Sequence, residues 1–391
     1  MMIKKVLMAI AIGLSFMGSA QEIVVPKPDH VVIVVLENTS YGAVLNANSA
    51  PYIKSLASDP ANALFTNSFG LTHPSQPNYL MMFSGGSQGV SDDNLPKNLP
   101  FTAPNLASEL IAHKYTFAGY AEQLPSEGST VEYYGTYARK HSPWVNWQGG
   151  TTNGVPTSCN KPFSAFPSDY SQLPTISYVI PTLDHDMHDP AGTSTAISNG
   201  DNWVKTHLDA YAQWAKTHNS LLIVTWDEDD NNQNNQITTI FIGQDVKGGK
   251  YNQKITHYNV LRTLEEMYGL NYVGNSSTAS NVGDVWKRAA TPPVTSGIAD
   301  HVSVLSEPLA VYPNPARGKV SMHYNAAVGE SVRVNLFDEL GRVVAVKKID
   351  AIAGDNAIEI GENAQLATGM YILSLEAGDN KLVKKIMVKK E

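Results

Sequence analysis

One cysteine, Cys159, stands among 391 residues, so the chain can form no internal disulfide and no cysteine-based metal cluster. Its stability must come from an apolar core. Positive charge is also short: 28 Lys and Arg face 36 Asp and Glu, a net charge of -8, which argues against the clustered cationic surface that binds a phosphate backbone. Nucleic acid is therefore not an expected partner. Long apolar runs are missing beyond the N-terminus, where no segment approaches the roughly 18 uninterrupted apolar residues of a spanning helix, so no integral membrane segment is expected in the mature chain.

The N-terminus has a pattern of its own. Lys4 and Lys5 precede an apolar run from Val6 to Met17, followed by the small residues Gly18, Ser19 and Ala20. That is the order of a secretory signal peptide, with cleavage expected after Ala20, and the apolar run is too short to span a bilayer. Residues 1–20 are accordingly set apart from the fold.

What is present is a composition 42% hydrophobic and only 16% charged, enough to bury a sizeable core in more than one domain. From Val31 to about Leu270, short apolar runs alternate with longer amphipathic ones, the pattern of an α/β fold with a mostly parallel sheet flanked by helices. Strands are expected at Val31 to Leu36, Thr116 to Ala121, Ile176 to Ile180, Leu221 to Trp226 and Ile237 to Ile242. Helices are expected at Trp203 to Lys216 and His257 to Tyr268, each with apolar residues recurring every three or four positions. Residues 122–169, rich in Gly, Pro, Ser, Tyr and Trp, lack periodicity and read as an excursion beside the site, either walling a pocket with aromatics or simply packing on the surface.

A Pro-, Ser- and Thr-rich stretch over residues 291–308 marks a linker. Beyond it the pattern changes to short alternating strands, as at Val332, Val334 and Leu336, with a hairpin turn expected at Glu339 to Gly341. Residues 309–391 are thus expected to form a small C-terminal β-sandwich, and residues 21–290 the main domain.

In a parallel sheet, ligands bind beyond the carboxyl ends of the strands, where loops and helix N-termini converge. Two strands deliver acids there: VVIVVL runs into Glu37 and Asn38, and LLIVTW into Asp227 and Glu228. Clustered carboxylates repel one another, and one divalent cation is the natural resolution. Oxygen donors without cysteine point to Mg, Ca or Mn before Zn or Fe, which the nearby histidines keep open. Ser75, between Pro74 and Pro77 and ahead of a helix expected to take Pro77 at its first position, is placed either to cap that helix or to act as a nucleophile beside the positive end of its dipole. Asp184 to Asp189 packs His185 and His188 among acids after a strand, and His257 opens a helix; these histidines could ligate a metal, stabilise charge or transfer a proton. A phosphate-binding glycine loop and a complete EF-hand are both missing.

Taken in order, the motifs VVIVVLENTSY, THPSQPNYL, DHDMHD, LLIVTWDEDD and ITHYNVLRTLEEMYGL resemble the phosphoesterase family that holds bacterial acid phosphatases and phospholipases C, within the alkaline-phosphatase-like superfamily. The resemblance implies that Glu37, Asn38, Ser75, Asp227 and Glu228 hold the metal. It also implies that Ser75 forms a phosphoserine, that His188, His257 and His185 stabilise the transition state or act as general acid, and that Asn38 and Asn78 contact substrate. The acidic run continues as Asp229 and Asp230 where several relatives turn at glycine, which leaves the last ligand open by one residue. The tail motifs VYPNPARGKVSMHY, VNLFDELGRVV and LATGMYILSLEAGDNKLVKKIMVKK resemble the C-terminal sorting domain of the type IX secretion system.

The implied protein is a secreted or cell-surface, metal-dependent phosphomonoesterase of acid-phosphatase type, whose partners are a phosphate ester and the type IX secretion machinery. Phospholipase C or another phosphodiesterase is the nearest alternative. A surface binding or adhesive protein with an inactive phosphatase-like domain is the alternative of another class.

Overall fold

The computed structural model describes residues 25–46, 48–188, 193–287, 311–317, 319–326, 329–338, 343–361, 366–377 and 380–389. The expected signal peptide, the linker and the Glu339 to Gly341 turn lie outside the described residues. The chain divides into two compact units, residues 1–291 and 292–391.

The first unit is built on β1 (His30–Leu36), β2 (Ala63–Phe69), β3 (Phe117–Ala121), a small hairpin of β4 (Tyr133–Tyr134) and β5 (Tyr137–Ala138), β6 (Asn160–Pro162), β7 (Ile176–Ile180), β8 (Ser220–Trp226), β9 (Gln236–Gly243), β10 (Gly249–Tyr251) and β11 (Ile255–Thr256). All but the hairpin join one sheet in the order β10-β2-β9-β8-β1-β7-β3-β6, with β11 also on β2. β8, β1, β7, β3 and β6 run parallel, whereas β9 is antiparallel to both its neighbours. The segment 227–235 that joins β8 to β9 is too short for a crossover, which needs a dozen residues or more, so the chain reverses there. That reversal makes 227–235 a loop at the sheet edge.

The unbroken apolar run of β1 follows from its central position. Val31, Ile33 and Val35 bury into one layer and Val32, Val34 and Leu36 into the other. Both faces are covered, so no polar alternation is needed. On the first face lie α3 (Ser75–Ser84), α4 (Leu106–Ala112) and α6 (His257–Tyr268); on the second lie α1 (Tyr41–Asn46), α2 (Pro51–Ser58) and α5 (Ser194–Ala215). α5 begins well before the Trp203 expected from its apolar stripe, because Thr193 accepts the Ala196 N–H and caps an early turn built from small polar residues. Among the described residues no helix is long and apolar enough to cross a membrane.

The second unit is a seven-stranded β structure ordered β15-β14-β17-β18-β12-β13-β16, with β12 (Val311–Arg317), β13 (Lys319–Ala326), β14 (Glu330–Phe337), β15 (Val343–Ala351), β16 (Gly354–Ile360), β17 (Gly369–Ala377) and β18 (Asn380–Val388). Val332, Val334 and Leu336 of β14 meet Leu373, Leu375 and Ile386 in one shared core, as the alternation in the sequence requires.

Candidate active site

The site forms where β1 and β8 end side by side. Leu36 pairs with Trp226 in the parallel ladder, and the Asp227 N–H donates to the Leu36 carbonyl at 3.0 Å, so Glu37 and Asp227 leave the sheet together. Asn38 adopts a positive φ of 31°, which asparagine tolerates better than most residues. The bend directs its N–H to Asp227 Oδ1 at 3.3 Å and its side-chain N–H to Glu228 Oε1 at 3.1 Å.

Ser75 opens α3 directly above this edge. The helix starts two residues earlier than the sequence pattern suggested, with Pro77 in its first turn, where no N–H is needed for the helical ladder. Ser75 is therefore inside the helix and its hydroxyl is not a cap. Instead, Ser75 Oγ lies 2.8 Å from Glu37 Oε2, 3.1 Å from Asn38 Oδ1 and 3.1 Å from Glu228 Oε1.

One hydroxyl carries one proton, so it can satisfy only one of these three acceptors. The surrounding acids have the same excess. Glu37, Asp227 and Glu228 are buried, and among the described residues Glu37 Oε1 and Asp227 Oδ2 have no hydrogen-bond partner. Burial raises the pKa of Glu37, opposed by the charge of Lys140. Burial, then the charges of Glu37 and Glu228, pushes Asp227 well up, and burial with the Glu37 charge pushes Glu228 to about 8. An arrangement so rich in acceptors fits a hard cation. Among the described residues no three His, Cys, Asp or Glu side chains enclose an ion by themselves, so a cation here would draw on the Asn38 and Ser75 oxygens as well.

The remaining expected site residues divide. His257, at the first turn of α6, is buried with Nε2–H donating to the Asp227 carbonyl at 2.6 Å; burial lowers its pKa to about 4, so the ring is neutral and braces the end of β8. His188 lies close enough for its charge to act on Glu37 and His141. His185 is not brought to Ser75. Its Nδ1 lies 3.0 Å from Glu122 Oε2, and its side chain is 37% exposed on another part of the loop. Asn78 is fully buried and occupied: Oδ1 accepts the Leu71 and Thr72 N–H groups, and Nδ2 donates to the Thr72 carbonyl and Glu228 Oε2. These bonds lock the 71–74 loop to α3 and to Glu228. Asp229 is likewise spent on the Asn231, Gln233 and Asn235 N–H groups of its loop, leaving Glu228 as the acid against Ser75.

Four contributors, His141, Lys140, Asp93 and His73, are not among the residues expected from the sequence. His141 and Lys140 come from the aperiodic 122–169 segment, whose Trp144 and Trp147 are buried in the core rather than lining a pocket. The His141 ring is buried, stacks on Tyr79 at 5.1 Å and places Nε2 3.2 Å from Glu37 Oε1. Burial, then the charges of Lys140 and His188, lowers its pKa well below the usual imidazole value. Lys140 Nζ donates to Asp93 Oδ2 at 2.7 Å. His73, two residues before Ser75, bridges Glu228 Oε2 at 2.8 Å and Asp229 Oδ1 at 3.2 Å. Of these, only His73 carried a usable signal, since it sits inside the serine motif.

The phosphoesterase family model matches residues 43–271, which include Ser75, Asp227 and Glu228. The chain belongs to the phosphoesterase family. A secretion system C-terminal sorting domain model matches residues 310–389, so this phosphoesterase carries a type IX sorting tail. The phosphatidylinositol-3-phosphatase of Mycobacterium tuberculosis is 51% identical over 263 residues, covering 67% of this chain and 84% of that one. The acid phosphatase of Aspergillus fumigatus is 28% identical over 267 residues, covering 64% of this chain and 57% of that one, so this chain spans little more than half of that fungal relative. A solved structure in the alkaline phosphatase superfamily from Vibrio parahaemolyticus aligns over 85% of this chain and 79% of that one at 12% identity, with a TM-score of 0.47. The phosphoesterase is a phosphoric ester hydrolase, with relatives named as phosphatases.

Proposed function

We propose that this phosphoesterase is a secreted phosphomonoesterase in which Ser75 is the nucleophile and a divalent cation is held by Glu37, Asn38, Ser75, Asp227 and Glu228. The observation that carries the reading is Ser75 Oγ set among oxygens of Glu37, Asn38 and Glu228, from two separate strand ends. Bound there, a divalent cation would lower the hydroxyl pKa and offset charge on the phosphoryl oxygens. The oxygen-rich donor set suits Mg, Ca or Mn, and the His141 nitrogen beside Glu37 keeps Zn or Fe compatible.

The chain's own residues then have separable tasks. α3 fixes Ser75 with its oxygen toward the strand ends, so that attack on phosphorus forms a phosphoserine as the bond to the leaving alcohol breaks. Water then cleaves the phosphoserine and regenerates the hydroxyl. Glu37 is held on one side by its backbone N–H, which donates to the Asp186 carbonyl at 2.7 Å, and on the other by His141. His188 stands near Glu37 as the candidate for charge stabilisation or proton donation to the leaving oxygen.

The name of the mycobacterial relative denotes removal of a phosphate monoester from a lipid headgroup, which supports the monoester class. Secretion or surface display follows from the sorting tail. The reading is tested by assaying an aryl phosphate with and without chelator. Turnover that chelator abolishes and Mg, Mn or Ca restores is expected; turnover indifferent to chelator would remove the cation from the account.

A further inference from the structure

A phosphate monoester differs from a diester in one feature that a protein can grip. It has a third terminal oxygen and, with a second pKa near ~6, a second negative charge at neutral pH. A cation fixed near the nucleophile, and not itself tied up by the Glu37, Asp227 and Glu228 carboxylates, would read that oxygen.

Lys140 is such a cation. Its ammonium donates to Asp93 Oδ2 at 2.7 Å, and Asp93 Oδ1 accepts the backbone N–H of Gln76, the residue after Ser75, at 3.0 Å. The buried Gln76 side chain donates to the Asp92 and Asn94 carbonyls at 2.9 and 2.7 Å, so the turn that carries Asp93 is pinned to the N-terminus of α3. At the other end, Lys140 is chained to His141, which is fixed against Glu37 and Tyr79. The ammonium is thus held from two sides at the end of the helix that presents the nucleophile. Its side chain is 14% exposed, and its charge reaches both Glu37 and Glu228.

Asp93 is its one hydrogen-bond partner among the described residues, and an ammonium has three N–H donors. Two donors remain for a ligand. A lysine that served only to tie the 92–94 turn to the 139–141 segment would not need to sit beside the carboxylates with most of its stem desolvated.

We infer that Lys140, aimed by Asp93, grips the terminal phosphoryl oxygen that a monoester has free and a diester has esterified, and so sets the preference for monoesters. The inference rests on the proposed hydrolase reading and deepens it. Asp93 is a positioning residue, whereas Lys140 touches the substrate. The contact is charge-assisted in a partly desolvated place, so its loss is expected to cost the monoester about 10- to 100-fold more than the diester.

The test uses the full-length protein supplied with divalent metal. kcat and KM are measured for an aryl phosphate and for its methyl ester in wild type, Lys140→Met, Lys140→Arg and Asp93→Asn, and inorganic phosphate binding is measured by calorimetry on the same proteins. The expected result is a monoester-to-diester ratio of kcat/KM lowered about 10- to 100-fold in Lys140→Met, partly restored in Lys140→Arg, with phosphate affinity falling in parallel. Asp93→Asn should lower the ratio less and mainly through KM. Should Lys140→Met fail to fold, Asp93→Asn and Lys140→Arg still read the ratio. A ratio unchanged in these variants, or equal losses on both esters, would overturn the inference. If the wild type turns over neither ester yet binds phosphate through Lys140, the hydrolase reading falls and the anion contact stands; phosphate binding indifferent to Lys140 removes the contact.

Discussion

His141 Nε2 lies 3.2 Å from Glu37 Oε1, with the imidazole ring stacked on Tyr79. The two side chains are buried, and among the described residues neither the Glu37 oxygen nor the His141 nitrogen has a hydrogen-bond partner of good geometry. This pairing joins the end of β1, the helix of the nucleophile and the aperiodic 122–169 segment at one point.

From that position His141 should tune the carboxylate it faces. His141→Ala is expected to weaken divalent cation binding and to lower kcat/KM on an aryl phosphate by about 10- to 100-fold, the usual effect of removing a group that supports a metal ligand. Calorimetric titration with Mg and Mn, beside steady-state kinetics, checks both halves. Unchanged cation affinity would leave His141 as packing alone.

Asn78 is expected to matter for stability rather than for substrate binding. Removing its side chain in Asn78→Ala leaves the Leu71 and Thr72 N–H groups without their acceptor in a half-buried loop, at up to about 1–3 kcal/mol for each group so stranded. A fall in Tm of several degrees with little change in KM, read at a temperature where the variant stays folded, is the expected result. A raised KM at unchanged Tm would return Asn78 to the substrate.

Glu265 gives a pH signature away from the site. It is buried on α6, accepting the Val273 N–H at 2.8 Å and the Ser276 hydroxyl at 2.6 Å, and burial pushes its pKa up to about 7 from 4.5. Between those values the folded chain keeps a proton that the unfolded chain has released. Stability therefore falls as pH rises through that window, by about 1.4 kcal/mol for each pH unit. Glu265→Gln can still accept from Val273 and cannot ionise. Relative to wild type its Tm should improve from pH 5 to about pH 7 and level off above that, and a difference that stays flat from pH 5 to pH 7 would contradict the assignment.

A bound cation should stabilise the folded chain by mass action, because the donor set exists only when β1, β8 and α3 are assembled. Adding millimolar Mg, Mn or Ca to chelated protein is expected to raise Tm, and Asp227→Asn to abolish most of the rise. Thermal melts on the two proteins check it.

The legible part of the fold was the part in which neighbours along the chain share one physical constraint. β1 and β8 are buried on both faces, so their apolar runs and the acids that end them stood out at once, and these place Glu37, Asn38, Asp227 and Glu228. β2 escaped because its polar Thr66 and Asn67 interrupt the apolar pattern, their side chains bonding to the Tyr251 and Asn252 carbonyls beside the strand. α3 starts two residues before the position that Pro77 suggests, because the whole first turn, not its first residue alone, tolerates proline. Lys140, His141 and Asp93 were illegible for a different reason. They reach the site through tertiary contacts of loops, which leave no period in the sequence, and a histidine beside a lysine in an irregular stretch looks like surface. His185 shows the converse: the densest run of ionisable residues drew attention, yet the loop turns that ring toward Glu122.

The most direct measurement is steady-state hydrolysis of an aryl phosphate monoester by full-length wild type and Ser75→Ala, both supplied with divalent metal and both shown to be folded by their melts. Wild-type turnover with a loss of about a thousandfold or more in Ser75→Ala is the predicted result, since removing a nucleophile removes the step that makes the covalent intermediate. A Ser75→Ala protein that retains wild-type turnover would contradict the account.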